Sequence, residues 1–233
     1  MKMKRWVGTS GCQYPEWKGK FYPADLAATK MLPFYAQNFT SREINHTFRR
    51  IPAEKTILAW SAATPARFTF SFKAPQRVTH YAKLRGCAPL LKVFYNAIVA
   101  AGKKPGPVLF QLPPTFKKYA KILRAFLSEV PSGMRATFEF RHESWFDDKV
   151  FETLRAANAA LCIAEDEELA APKVATGDFG YLRLRREDYK RAEIKRWMRW
   201  IDEQSCQWRE AFVYFKHEER AVGPKFAQQM LAV

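Results

Sequence analysis

A parallel (β/α)₈ barrel, α/β in class and TIM-like in form, is the fold this sequence predicts, and three observations predict it. Short β-rich runs alternate with longer amphipathic stretches along the whole chain, without a low-complexity linker or a sequence repeat. Eight such runs can be counted. Divided among them, the 233 residues leave about 29 per unit, close to the roughly 30 that a strand, a crossover helix and two loops require.

In chain order, the first strand is expected at Arg5–Thr9, followed by a helix over Ala24–Asn38; the second strand at Arg42–Asn45 leads to a helix at Ala53–Ala63. The third, Arg67–Lys73, precedes a helix at Ala88–Ala101, and the fourth, Val108–Leu112, one at Tyr119–Val130. The fifth, Arg135–Arg141, is followed by Asp147–Ala157. After the sixth, Ala160–Glu165, the connection reads weakly as a helix. The seventh, Gly180–Arg185, and eighth, Ala211–Phe215, precede helices at Arg191–Gln204 and Pro224–Leu231. Each helical segment places apolar residues three or four apart, one face toward a core. An open, doubly wound sheet is the competing architecture, but no GxGxxG turn follows the first strand: Gly8-Thr9-Ser10-Gly11 is too short and generic for a dinucleotide fingerprint. The whole of 1–233 is read as one barrel domain.

Composition narrows the function classes. The chain is 48% hydrophobic and 27% charged, an ordinary globular balance, and nowhere do about 18 apolar residues run on without a charge. A protein of the cytoplasm, with no membrane partner, is the expectation. Cys12, Cys87, Cys162 and Cys206 are widely spaced with no CxxC pair, which signals neither a disulfide framework nor a zinc site. A net charge of +16 attracts phosphate-bearing small molecules or nucleic acid. Oligomeric state is not legible.

Period-two alternation sorts each strand into a helix-facing and a lumen-facing side. In Phe68-Thr69-Phe70-Ser71-Phe72-Lys73 the phenylalanines suit the helix layer, so Thr69, Ser71 and Lys73 point inward. The same logic sends inward Glu43 and Asn45, Gln111, Glu139 and Arg141, and Arg183 and Arg185. Buried charges cost several kcal/mol each unless paired or bound to a ligand, so this interior is more than a packed core. Most of these residues come late in their strands, where barrels of this type carry their active sites. An internal salt-bridge network closing the barrel top is the structural alternative.

Glu139 and Glu43 are the acid/base candidates, since carboxylates in one cavity can hold different protonation states. Lys73, Arg141 and Arg183 are candidate anion clamps, Asn45 and Gln111 would orient neutral ligand groups, and His80 and His142 are rim donors or proton shuttles. Tyr14 and Trp17, with Phe21 and Tyr22, can stack on a base or sugar ring or pack as a mini-core beneath their loop; Trp145 is open to the same two readings. No cofactor is expected. A divalent metal would find donors only in Glu43, Glu139, His142 and Asp166, amid repelling Lys and Arg. Cys12 is a nucleophile only with an activating base, and none is evident. The basic faces Lys190, Arg191, Lys195, Arg196 and Arg199, beside Trp197 and Trp200, and Lys117, Lys118, Lys121 and Arg124 are solvated helix surfaces or phosphate-backbone tracks.

The motifs themselves resemble a known family. Gly8-Thr9-Ser10-Gly11 with Tyr14-Pro15-Glu16-Trp17 and Phe21-Tyr22-Pro23, Glu43-Ile44-Asn45-His46-Thr47-Phe48, Phe72-Lys73-Ala74 with Thr79-His80, Phe110-Gln111-Leu112-Pro113-Pro114, Phe138-Glu139-Phe140-Arg141-His142 with Ser144-Trp145, and Tyr181-Leu182-Arg183-Leu184 are similar in order and spacing to the YecE-like family, domain of unknown function 72. The resemblance covers nearly the whole chain and implies a TIM-like barrel with a strongly patterned polar pocket. Some members have been compared with the endonuclease IV and xylose isomerase barrels, a likeness of fold that carries little chemistry. This chain departs from the pattern at Cys12, where Trp is usual, at Leu184-Arg185-Arg186, where Leu-His-Gly is usual, and at Tyr214-Phe215-Lys216-His217, where the ending is rich in Asn and Asp. The cations so introduced suit a more anionic ligand, or a degenerate site.

Three functions follow as expectations: binding of a phosphate-bearing or otherwise anionic ligand at the mouth, with phosphoester hydrolysis or isomerisation; a non-catalytic nucleic-acid or anion-binding module using the basic surface; and a metal-independent enzyme acting on a small sugar or carboxylate.

Overall fold

The strands β1 (Lys4–Ser10), β2 (Ser41–Ile44), β3 (Thr69–Lys73), β4 (Pro105–Gln111), β5 (Ala136–Glu139), β6 (Ala160–Glu165), β7 (Phe179–Leu184) and β8 (Glu210–Phe215) pair in parallel and in sequence order, and β8 closes onto β1. Around them run α1 (Ala28–Asn38), α2 (Glu54–Ala62), α3 (Ala88–Val99), α4 (Ala120–Glu129), α5 (Asp148–Ala156), α6 (Arg191–Glu203) and α7 (Val222–Leu231). This computed structural model describes residues 3–165, 169–216 and 221–233. Among the described residues the β6–β7 connection contains no helix, and no helix is long and apolar enough to cross a membrane.

The period-two reading accounts for where the core sits. Phe68, Phe70 and Phe72 pack edge-on and tilted in a row along the outside of β3, and Phe110 and Phe138 meet Phe126 of α4 with ring centroids 5.1 and 6.0 Å apart. With Leu182 and Val213 they form the layer under the helices, which contribute Leu91, Leu123, Leu154 and Ile194. Each such buried side chain contributes about 1.5–3 kcal/mol. The lumen has a separate apolar cluster, Leu109, Ala160, Cys162, Phe179, Tyr181, Phe212 and Tyr214, against which Trp6 packs. Charge is thus confined to the two ends of the lumen: Arg135 and Glu210 pair at the N-terminal end, and the polar strand ends crowd the C-terminal mouth.

Several boundaries differ from expectation for local reasons. The first helix starts at Ala28 rather than Ala24, because Leu26 N–H turns back to Pro23 O and the helical ladder begins with Lys30 N–H on Ala27 O. Strand β4 begins earlier, at Pro105; a strand's first residue tolerates proline's missing donor. Strand β5 stops at Glu139, so Arg141 leaves the ladder and folds back on that carboxylate.

Candidate functional site

The mouth is built from the last inward residues of the strands. Strand β1 ends in Ser10, and the chain turns at Gly11, whose φ of +93° favours glycine and where a Cβ would lie 2.1 Å from the Tyr14 hydroxyl. That turn lets Gly11 N–H donate to Glu43 O at 2.9 Å. Ser10 Oγ donates to Glu43 Oε1 and accepts from Asn45 Nδ2 at 2.8 Å.

At the centre lies Arg183, 1% exposed, with one Nη donating to Glu139 Oε2 and the other to Glu43 Oε1 at 3.0 Å and Ser10 Oγ at 3.2 Å. Tyr181, two residues earlier on β7, donates its hydroxyl to Glu43 Oε2 at 2.7 Å. Glu139 also accepts from Gln111 Nε2 at 2.6 Å and Arg141 Nε at 3.0 Å, and Arg185 Nη1 stands 3.7 Å away. Lys73 Nζ donates to Gln111 Oε1 at 2.7 Å and lies 4.1 Å from the centre of the Phe48 ring. One connected network therefore spans β1, β2, β3, β4, β5 and β7.

Electrostatics separates the members. Burial alone would raise the Glu139 carboxyl, but the Arg183 and Arg141 guanidinium charges outweigh it and hold the group far below the usual carboxylate range. Burial would likewise depress Arg183, and the two carboxylates more than restore it. Lys73 goes the other way: burial and the Arg183 charge, against the pull of Glu139 and Glu43, bring its ammonium down to about 8. His80 is lowered by burial, Lys73 and Arg141. Among the described residues of this network, Lys73, Arg141, Arg183 and Arg185 outnumber Glu43 and Glu139.

The other expected site residues divide. Asn45 joins the network, and its buried Oδ1 has no hydrogen-bond partner among the described residues. His80 borders the mouth, its ring edge-on to Phe48 at 4.9 Å and its Nδ1 2.9 Å from Thr79 Oγ1. The His142 Nδ1 instead accepts from Ser144 N–H at 3.1 Å and caps the short turn that seats Trp145. Tyr14 is half-buried, its hydroxyl donating to Ser10 O at 3.0 Å. Trp17 corrects the stacking expectation: at 1% exposure, packed against Tyr14, Phe21 and Tyr22, it has no open ring face for a ligand. Trp145 is buried the same way on Phe140. Cys12 is fully buried, and desolvation raises its thiol despite the nearby Arg42. Asp166 and His217 lie outside the described residues; among those described, no group of three or more His, Cys, Asp or Glu converges as a metal site requires.

Sequence alone does not single out Ser10 and Tyr181 for this network: Tyr181 shares the Arg183 face by simple alternation, whereas Ser10 carries no signal beyond its place at a strand end.

The chain is 30% identical over 142 residues to the UPF0759 protein YecE of Escherichia coli K12, an alignment covering 60% of this chain and 50% of that protein. It is 29% identical over 145 residues to the UPF0759 protein YunF of Bacillus subtilis 168, covering 56% and 49%. The chain thus spans about half the length of the curated relatives it matches. Its fold is similar to the crystal structure of a DUF72 family protein from Thermotoga maritima, with TM-score 0.86, 24% identity and 98% of each chain covered. A DUF72 family protein from Enterococcus faecalis is similar with TM-score 0.78 and 16% identity, covering 99% of this chain and 97% of that one. The family model described as protein of unknown function DUF72 matches residues 6–233, and the chain belongs to that family.

Proposed function

We propose that the protein binds a phosphate-bearing or otherwise anionic ligand at the C-terminal mouth of its barrel and acts on it there as a hydrolase or isomerase. The observation that supports this reading is the excess of cations among the described residues of the network: Lys73, Arg141, Arg183 and Arg185 gather around two carboxylates already occupied by Arg183, Tyr181, Ser10 and Gln111. Arg141 keeps a third of its side chain exposed while bonded to Glu139. It can meet a phosphate without giving up its anchor. The orphan Asn45 Oδ1 suits a ligand hydroxyl.

In this assignment Glu139 anchors the clamp instead of carrying a proton, since a carboxylate held far below its ordinary range remains ionised through neutral pH, and Glu43, bonded to Arg183, Tyr181 and Ser10, is the second anchor. Proton movement falls to Lys73 and His80 at the rim.

Titration calorimetry with inorganic phosphate and pyrophosphate, parent against Arg141→Ala, tests the site. Loss of a charge-assisted bond worth about 1.5–3 kcal/mol predicts roughly 10- to 100-fold weaker binding; unchanged affinity refutes the assignment. The exposed residues Lys195, Arg196 and Arg199 of α6, and Lys117, Lys118, Lys121 and Arg124, favour the second reading, a nucleic-acid module working through its surface. Salt-steep oligonucleotide binding insensitive to Arg141→Ala would select it.

A further inference from the structure

We infer that Lys73 is a carbonyl-reactive amine, whose Nζ condenses with the aldehyde or ketone carbon of a small phosphorylated or carboxylated compound seated in the mouth. The inference rests on the anion-binding reading above and adds the substrate class.

The geometry isolates this amine. Glu43 faces it from β2, Gln111 from β4, Glu139 and Arg141 from β5, Arg183 from β7, and Phe48 and His80 from the loops after β2 and β3. Both acids are engaged by Arg183, and among the described residues Lys73 makes no ion pair. Its hydrogen bond is to the neutral Gln111 oxygen at 2.7 Å. Lys104 provides the contrast: its Nζ, also buried and lowered, donates to Ser61 O, to Thr64 O at 2.8 Å and to Thr64 Oγ1 at 3.0 Å, so its three protons serve backbone and side-chain acceptors and its role is structural. With an ammonium brought down to about 8, Lys73 presents about a tenth of its population as free amine at pH 7, against about 0.04% for an ordinary lysine.

The step balances without an oxidant or reductant. The Nζ lone pair forms a bond to the carbonyl carbon while the C=O π pair moves to oxygen. A proton passes from nitrogen to that oxygen, giving the carbinolamine. Protonation of the hydroxyl then expels water, and the nitrogen lone pair closes the C=N bond, leaving an iminium and one water. His80, 4.9 Å from the Phe48 ring over which Lys73 lies, is placed to relay the protons. Arg141 and Arg185 hold the anionic end, and the iminium withdraws electrons from the adjacent carbon, as isomerisation or carbon–carbon cleavage requires.

The test is borohydride reduction of the intact chain at pH 7 with glycolaldehyde phosphate, glyoxylate or neutral glycolaldehyde, followed by peptide mass mapping. The roughly two-hundredfold advantage in free amine is partly offset by its weaker basicity, so alkylation at Lys73 should exceed that at exposed Lys55 and Lys92 by about tenfold or more with the anionic aldehydes. The two probes show whether phosphate or carboxylate is preferred. Glycolaldehyde shares the free-amine advantage but cannot use Arg141 and Arg185, so its excess at Lys73 should be clearly smaller than that of the anionic aldehydes, and inorganic phosphate should reduce theirs. Lys73→Arg, which keeps the charge, should lose the adduct; if that variant fails to fold, the site ratios within the parent still decide. Labelling of Lys73 no faster than of the exposed lysines with any probe overturns the inference, and equal labelling with all three overturns its anionic substrate class. Phosphate binding by calorimetry without selective labelling removes this inference and leaves the anion reading intact; absence of both removes both.

Discussion

Replacing Glu139 by Gln takes one charge from the centre of the network and leaves its shape. The Glu139 side chain is 1% exposed and that of Arg183 2%, so water does not take over the lost interaction. Removing one partner of a buried pair costs about 3–5 kcal/mol. The amide oxygen still accepts a bond, and Glu43 still faces the other Arg183 nitrogen at 3.0 Å, which puts the expected loss at the lower end, about 3 kcal/mol. A chain of this length has an unfolding entropy near 0.5 kcal/mol/K, so Tm should fall by about 6 °C at pH 7. The sign of the pH dependence follows from the depressed native pKa. As pH falls, the unfolded chain takes up the Glu139 proton first, so the stabilisation is complete above about pH 5 and fades through the unfolded value of about 4.3. Calorimetry of parent and variant should show a constant gap from pH 6 to 8 that narrows by pH 3. A gap under about 2 °C at pH 7, or one that does not narrow in acid, refutes the account of Glu139 as an ionised anchor.

Tyr181→Phe removes the hydroxyl that donates to Glu43 Oε2 from inside the lumen; urea unfolding should show a loss of about 1–2 kcal/mol, and no change would mean Glu43 does not depend on that bond. Gly11→Ala forces a side chain onto a φ of +93° and into the Tyr14 ring, so it should cost roughly 1–3 kcal/mol and disturb the Ser10–Glu43 contact; equal stability in urea would show that the turn relaxes freely.

Alternation made much of this molecule legible. The phenylalanines of β3 cannot face the lumen without sending Ser71 and Lys73 into the helix layer, so the register of that strand follows from the pattern alone, and Ser71 does reach Tyr214 across the barrel at 2.7 Å. What the pattern cannot contain is the pairing. Arg183 meets Glu43 across 140 residues and Glu139 across 44, and nothing local in any of the three segments says which carboxylate it meets, or that it takes both. Trp17 shows the converse limit: an aromatic-rich loop reads the same whether its rings face a ligand or one another, and only the positions of Phe21 and Tyr22 decide.

The pairing, once known, changes the chemistry that the residue list suggests. Two glutamates in a cavity invite an acid/base reading, but a guanidinium shared between them fixes Glu139 as an ion and spends its lone pairs on Arg183, Arg141 and Gln111. The same arginine that stabilises the acids repels the amine of Lys73. Burial and Arg183 act on Lys73 in the same direction, and the carboxylates that would offset them are already engaged. The network thus fixes Glu139 as an ion beneath Arg183 and Arg141, and leaves Lys73, brought down to about 8, as a group at the rim whose charge changes not far above neutral pH, with His80 beside it shifted downward by burial and by the same cations.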